Sequence, residues 1–259
     1  MPVGDLRQVH STPLYCAFSA AFGGLGRLVG WLWDAEGNDW NVRNRFDHSL
    51  LEIASLYGTT WIVAEILKRN IDKDMVKGAL FAASSDGRLD IVTFLLDQCA
   101  GLNIVSSDFD SALGIAAYHA HLDVVRLLVA RGADVTRTHA LEAAAKTGHL
   151  DTVRFLLDRG ADINLPCPGH GTPLHAAAYR GWLHIAGFLL DRGADINYRV
   201  DGGPPLHSGA YWGHLDMCRF LLDRGADPDI IENTGEGARD CAERRGHFDI
   251  VKLLDSVTK

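Results

Sequence analysis

The sequence predicts an all-α solenoid, built from stacked units of two short helices each. Three features of its 259 residues predict this fold. Short apolar segments recur at helical spacing along nearly the whole chain, and a glycine follows most of them after about two helical turns. The string Leu-Leu-Asp-Arg-Gly-Ala-Asp recurs in the second half. Helices this short are only marginally stable alone, so each unit must bury its apolar face on neighbouring copies.

The clearest unit spans residues 171–197. Thr172 is expected to cap a first helix through its hydroxyl, and Pro173 suits the first helical position because its missing N–H had no intrahelical partner. Gly181 is expected to end that helix, and Gly193 to end a second helix in the left-handed conformation. The second helix is predicted from the helical spacing of Leu183, Ala186, Leu189 and Leu190.

Eight copies of this unit align on the residue equivalent to Leu174, and they predict one solenoid domain over residues 1–259. The steps from Leu51 to Leu80 and from Leu113 to Leu141 are short, which predicts abbreviated hairpins there. The aligned anchors are Leu14, Leu51, Leu80, Leu113, Leu141, Leu174, Leu206 and Arg239. The predicted repeats are about 12–47, 48–76, 77–108, 109–137, 138–169, 170–201, 202–234 and 235–259.

Recurring motifs in these units resemble a known family. Thr172-Pro-Leu-His-Ala-Ala is repeated in part as Pro204-Pro-Leu-His and Thr12-Pro-Leu-Tyr, and Gly-His-Leu-Asp occurs at 148–151 and 213–216. Together with the Leu-Leu-Asp-Arg-Gly-Ala-Asp string, they resemble the ankyrin repeat family over about residues 12–259. The resemblance implies stacked helix-turn-helix ankyrin repeats with β-hairpin loops that project from one edge. The same resemblance implies a concave face of hairpin tips and first helices, a convex face of second helices, and protein binding as the usual activity. It also implies that His175 and His207 bridge repeats by hydrogen bonds.

Composition excludes several partners. The formal charge of −8 and the pI near 5.8 oppose a broad phosphate-binding surface, so nucleic acid is not expected as a partner. The apolar segment 12–33 is interrupted by Arg27 and four glycines, which opposes a membrane span. Five cysteines without a Cys-x-x-Cys pair indicate neither a disulfide framework nor a zinc knuckle, and they favour an intracellular protein, cytoplasmic or nuclear.

Signatures of catalysis and of cofactor or metal binding are absent from the sequence. It contains no phosphate-binding glycine loop, no Gly-x-Ser-x-Gly and no His-Glu-x-x-His. Cys167, His170 and His139 could meet at neighbouring hairpin tips, but they do not supply four ligands at zinc spacing. We therefore expect no catalytic residues, no cofactor and no metal site.

The strongest functional signal lies five and six residues beyond each anchor, at the exposed end of the first helix. In the family that the sequence resembles, these positions face the concave groove and vary with the partner. Tyrosine, tryptophan and arginine there can dominate binding energy, because they bury a large area and still offer a polar contact. Surface aromatics that only cover the seams between repeats are the alternative. The candidate binding residues are Tyr118, His119, Lys146, Thr147, Tyr179, Arg180, Tyr211 and Trp212, and the same positions hold Ser85, Asp86, Arg244 and Arg245.

Three functions are compatible with these features. The first is a non-catalytic interaction module that binds a peptide or protein in the concave groove. The second is a cofactor-independent enzyme or small-molecule binder that uses the same groove as a pocket, with His119, Lys146, Tyr179 and Arg180 for proton transfer or oxyanion stabilisation. The third is a homodimer joined through the apolar first repeat, which carries Phe18, Phe22, Trp31 and Trp33. A closed cavity would favour the enzyme, and an open groove would favour the module.

Overall fold

The computed structural model describes residues 43, 47–68, 72–99 and 110–257. They form two compact units. The first unit contains the described residues up to 116 and residues 123–133, and the second contains 117–122 and the residues from 134 onward. The predicted repeat at 12–47 falls almost entirely outside the described residues, and so do Phe18, Phe22, Trp31 and Trp33. The division of 1–259 into eight repeats as one domain therefore stays a prediction.

The first unit is helical, and its helices alternate between two layers. Ser49 caps its first helix, because its hydroxyl oxygen accepts a hydrogen bond from the backbone N–H of Glu52 at 3.1 Å. The first helix packs on the third, and the second packs on the fourth. The helices that begin in this unit are α1 (Leu50–Leu56), α2 (Thr60–Leu67), α3 (Lys73–Ser85), α4 (Leu89–Cys99) and α5 (Asp110–Tyr118). Helix α6 (Leu122–Ala130) also belongs to this unit, apart from its first residue.

The second unit repeats the same arrangement four times. Its helices are α7 (Ala140–Thr147), α8 (Leu150–Asp158), α9 (Pro173–Arg180), α10 (Leu183–Asp191), α11 (Pro205–Tyr211), α12 (Leu215–Asp223), α13 (Ala238–Arg245) and α14 (Phe248–Val257). The first helices α7, α9, α11 and α13 pack on one another in that order, and α8, α10, α12 and α14 do the same. The core lies between the two rows, where the apolar anchors of the first three repeats are buried: Leu141, Leu174 and Leu206. The anchor position of the last repeat is Arg239, which is partly exposed. These stacked helix pairs confirm the predicted solenoid fold.

The termini of α9 confirm the sequence signals of its repeat. Thr172 precedes the helix in an extended conformation, and Pro173 occupies the first helical position. Gly181 ends the helix in the left-handed region at φ 72°, where its backbone N–H bonds to the carbonyl of Ala177. At the start of the helix, the Thr172 hydroxyl forms a hydrogen bond to the imidazole of His175 at 2.8 Å. Thr172 therefore acts together with this side chain in capping the helix.

The predicted β-hairpin loops are present in reduced form. Each is an isolated antiparallel bridge in the described residues rather than a ladder, as between Cys167 and Gly171, Val200 and Gly203, or Ile231 and Gly237. The segment 131–139 contains turns and no such bridge. This loop lies within the short step from Leu113 to Leu141, so the expected abbreviation is observed there.

Ala120 occupies the position where most other repeats have glycine, and it has a positive φ of 65°. A left-handed conformation costs a residue with a Cβ about 1–2 kcal/mol relative to glycine. We therefore expect Ala120→Gly to raise the free energy of unfolding by about 0.5–1 kcal/mol, after allowing for the greater freedom of glycine in the unfolded chain. Urea unfolding would measure this change, and Ala116→Gly, inside α5, is the control that should destabilise the protein.

None of the helices in the described ranges combines the length and the apolar character needed to cross a membrane.

Candidate functional site: a groove along the first helices of the second unit

An open groove of about 680 Å³ runs along the first helices of the second unit and the loops that precede them. Helices α7, α9, α11 and α13 form its floor, because each presents the same face to the outside of the stack. The volume is that of a site for a small ligand or a few peptide side chains. We call this feature the groove, and its lining includes Glu142, Lys146, His170, Tyr179, Tyr211 and Trp212.

Four of the eight candidate binding residues line the groove and four lie outside its lining. Lys146, Tyr179, Tyr211 and Trp212 are in the lining. Thr147 uses its hydroxyl within its own helix, where it donates to the carbonyl of Ala143 at 2.9 Å. The remaining three candidates outside the lining are Tyr118, His119 and Arg180.

The aromatic side chains of neighbouring repeats touch one another. The rings of Tyr179 and Trp212 are 4.7 Å apart between centroids, at an interplanar angle of 69°. Tyr211 lies edge-on to the same Trp212 ring at 5.3 Å. Edge-to-face pairs of this kind contribute about 0.5–1.5 kcal/mol beyond their buried area. The aromatic cluster of Tyr179, Tyr211 and Trp212 therefore covers a seam between repeats and also forms part of the groove wall.

Arginine guanidinium groups flank the aromatic cluster. Arg245 lies over the Tyr211 ring at 4.4 Å and over Trp212 at 5.7 Å. Arg180 lies over the Tyr179 ring at 5.5 Å. Cation–π contacts hold these guanidinium groups near the rings while their N–H groups still face solvent. The cluster thus offers apolar area and hydrogen-bond donors side by side.

A row of hydrogen bonds fixes the ends of four successive first helices, α5, α7, α9 and α11. The last carbonyl groups of a helix lack intrahelical partners. Here these carbonyl groups accept a side-chain N–H from the next repeat. The donor is the residue just before the second helix of that repeat. His149 Nε2 bonds to the Tyr118 carbonyl at 3.1 Å, Trp182 Nε1 to Lys146 at 3.1 Å, His214 Nε2 to Tyr179 at 2.9 Å and His247 Nε2 to Tyr211 at 3.2 Å. This row positions the backbone from which the groove side chains project.

His175 bridges two repeats, as the family resemblance implies. Its Nε2–H donates to the Gly203 carbonyl at 3.1 Å, and its Nδ1 accepts from the backbone N–H of Thr172 at 3.2 Å and from the Thr172 hydroxyl. This pattern defines the tautomer with the proton on Nε2. Burial lowers the pKa of His175 to about 4. A second proton, on Nδ1, would also face the Thr172 N–H, which disfavours the charged form as well.

His207 holds the same motif position but lacks those bonds. Pro204 replaces the threonine and has neither an N–H nor a hydroxyl to offer Nδ1. His207 is only 1% exposed, and neither ring nitrogen makes a hydrogen bond of good geometry to the described residues. Its ring lies near the backbone of Glu236 and the carboxylate of Glu232. The family pattern therefore predicts its place but not its bonding.

Glu142 takes the place of the motif histidine in the repeat before His175, a substitution that the alignment of anchors could have revealed. It is 6% exposed, and its Oε1 has no hydrogen-bond partner in the described part of the chain. Burial raises the pKa of this carboxyl, while the charges of Lys146, His170 and His139 act in the opposite direction. A buried carboxylate therefore forms one end of the groove.

We expect Glu142→Gln to stabilise the protein at neutral pH by about 1 kcal/mol, because it removes the penalty of burying an ionised group with an unpaired oxygen. The raised pKa means that the folded state binds the proton more tightly than the unfolded state. The contribution of Glu142 to wild-type stability then falls as the pH rises through 4.5, the ordinary value of the group, toward the folded value. Urea unfolding should show the advantage of glutamine at pH 7 and its disappearance below pH 4.5. Glu243→Gln, which breaks an exposed pair with Arg239, is the control and should change stability little.

Comparison with known proteins connects this architecture to a family. A family model for ankyrin repeats, in three copies, matches residues 80–167 and again residues 143–232. Together the two matches cover more than half of the chain. The chain is also similar to ankyrin repeat domain-containing protein 49 of Bos taurus, with 35% identity over 71 residues. That alignment covers 27% of this chain and 30% of the length of the relative.

Proposed function

We propose that this chain, which belongs to the ankyrin repeat family, binds a peptide or a protein segment in the groove of its second unit. Ankyrin repeats are generally protein-interaction modules. The observation that carries the proposal is the aromatic cluster of Tyr179, Tyr211 and Trp212 on the groove wall, with Arg245 stacked on it. Tryptophan, tyrosine and arginine are the residue types most enriched among binding hot spots.

Exposure supports the same proposal. Trp212 is 43% exposed although its ring contacts two tyrosines. A tryptophan that only sealed the seam could bury more of its surface. The exposed part faces an open groove that also contains Lys146 and Glu142, so a partner can gain both apolar area and charged contacts.

A small-molecule enzyme is less well supported by the same geometry. Proton transfer or oxyanion stabilisation by His119, Lys146, Tyr179 and Arg180 would need these groups around one reacting atom. Only Lys146 and Tyr179 line the groove, and His119 contacts the rings of Tyr118 and His121 instead. The groove is also open to solvent, which favours an extended partner over a sequestered substrate.

Compartment and partner class complete the proposal. Cys167, Cys218 and Cys241 are free thiols, which fits an intracellular protein in a reducing environment. The net charge of −8 makes a protein a better partner than nucleic acid. The homodimer through the first repeat remains a separate prediction, to be checked by light scattering.

The proposal can be tested by selecting ligands from a displayed random-peptide library and locating them by hydrogen exchange. Amides of α9 and α11, which form the groove floor, should gain protection when a selected peptide binds. The amides of α10 and α12 serve as the internal control and should not change. Protection confined to α10 and α12 would place the binding surface on the second helices and contradict the proposal.

A further inference from the structure

Three metal-binding side chains meet at the last hairpin of the second unit. One ligand atom from each of Glu232, Glu236 and Cys241 lies within 4.8 Å of the other two. The backbone N–H of Glu232 donates to the carbonyl of Glu236 at 2.8 Å, so the hairpin holds the two glutamates side by side. Cys241 is buried one turn into α13. Two carboxylates from a loop and one thiol from a helix thus converge within a short stretch of sequence, but their residue types and spacing do not follow the usual zinc-ligand patterns.

A buried imidazole faces the same place. His207 lines the groove together with Glu232 and Cys241. The charge of Glu232 and the backbone of Glu236 both act on its ring. A buried polar group without a hydrogen-bond partner costs about 1–3 kcal/mol, and it commonly marks an unseen water or ion. Pro204 explains why Nδ1 lacks its family partner, and the Glu236 backbone that lies beside the ring makes no hydrogen bond of good geometry with it.

The dimensions suit a small divalent ion. Ligand bonds of about 2.0–2.3 Å in a tetrahedral zinc site place ligand atoms roughly 3.3–3.8 Å apart. The three groups already lie within 4.8 Å of one another, so side-chain rotations alone would close the site. Arg244 contacts Glu236 Oε2 at 3.0 Å. The same guanidinium also donates to Glu236 Oε1 at 3.3 Å. One of these two contacts must therefore give way to the metal while the other remains, since ligating carboxylates are commonly hydrogen-bonded as well.

We propose that Glu232, Glu236 and Cys241 bind a divalent metal ion of the zinc class, with a metal-bound water that forms a hydrogen bond to His207. Sulfur with carboxylate oxygen is a donor set that such borderline ions accept. A metal ion displaces the proton of the Cys241 thiol when it binds. Two carboxylates and one thiolate carry three negative charges, which the ion and Arg244 together balance.

The site would connect the last hairpin to α13. Because the three ligands are brought together only in the folded protein, metal binding stabilises that state and raises the melting temperature with increasing metal concentration. This inference replaces the expectation that the chain has no metal site, which rested on ligand spacing along the sequence. It does not depend on what the groove binds.

Titration of the full chain with Co²⁺ in place of Zn²⁺ tests the proposal. Thiolate coordination gives a charge-transfer absorption band that an adventitious site on surface carboxylates does not produce. We expect one band that saturates at one equivalent, disappears when Zn²⁺ is added, and is lost in Cys241→Ser. We expect Glu232→Gln, a substitution on the hairpin rather than in the core, to weaken binding by about tenfold or more.

Two cysteine controls make the assignment specific. Cys218→Ser removes another buried thiol, in α12, and Cys167→Ser removes a thiol that lies 3.9 Å from His170 Nδ1. Both should keep the band, and circular dichroism should show all variants folded. A band that survives Cys241→Ser, a band lost in Cys167→Ser, or no thiolate band in the folded wild type would overturn the proposal.

Discussion

Replacing His175 by alanine is expected to lower the free energy of unfolding by about 3 kcal/mol. The substitution removes a side chain that is only 2% exposed and deprives the Thr172 N–H and the Gly203 carbonyl of a partner. Loss of buried packing and of satisfied hydrogen bonds each destabilises by about 1–3 kcal/mol. Because the Gly203 bond joins successive repeats, the damage affects the interface between repeats as well as one helix.

His207→Ala is a matched control. The two histidines occupy the same motif position with the same burial, but His207 makes no comparable bonds to the described residues. His207→Ala should therefore lower the free energy of unfolding by about half as much as His175→Ala, since mainly packing is lost. Urea unfolding of the three proteins measures the difference. Equal losses for the two variants would show that the hydrogen bonds of His175 add nothing to stability.

The same histidine makes stability depend on pH. Burial lowers the pKa of His175 from 6.5 to about 4 in the folded protein. Between these values the unfolded chain binds the proton and the folded chain does not, so stability falls as the pH drops from 6.5 toward 4. The loss should approach the order of 3 kcal/mol for this group. This part of the pH dependence should be absent in His175→Ala, whereas the part that comes from the lowered pKa of buried His207 should remain. A wild-type protein equally stable at pH 7 and pH 4.5 would contradict the assigned tautomer network.

The second large effect concerns the groove. We expect Tyr179→Ala and Trp212→Ala each to weaken peptide binding by about 2 kcal/mol, or about 30-fold in Kd. The two rings are 4.7 Å apart, so removal of either also loosens the other. The double variant should then lose less than the sum of the single losses, and this difference measures their coupling.

The two substitutions should lower the free energy of unfolding by less than they lower the free energy of peptide binding. Each variant loses an aromatic pair, which contributes about 0.5–1.5 kcal/mol to folding. A binding loss that matches the loss of stability in every variant would instead assign the aromatic cluster to the seam between repeats. Calorimetric titration and urea unfolding on the same preparations separate the two outcomes.

Much of this architecture could be predicted from the sequence because it depends on local chemistry. Pro173 and Gly181 identify the ends of α9, and the anchor alignment placed Tyr179 and Tyr211 on the exposed ends of first helices. His175 could be assigned through the motif. These features are set within a few residues of the chain.

What could not be predicted depends on contacts between repeats. Tyr179 and Trp212 are 33 positions apart, and their ring contact follows from the tilt of one helix on the next. The sequence does show Pro204 at a threonine position and Glu142 at a histidine position, but the consequences for bonding and pKa need the packing around them. Glu232, Glu236 and Cys241 meet because a hairpin folds against α13, so local spacing gave no signal of a metal site.

The most direct test of whether the groove of the second unit binds the partner is the affinity of one selected peptide for two variants, Trp212→Ala and Phe248→Ala. Trp212 lies in the groove lining, whereas Phe248 on α14 is 63% exposed and lies outside it. Isothermal titration calorimetry should give a Kd about 30-fold weaker for Trp212→Ala and an unchanged Kd for Phe248→Ala. An unchanged Kd for Trp212→Ala together with a weakened one for Phe248→Ala would contradict the claim.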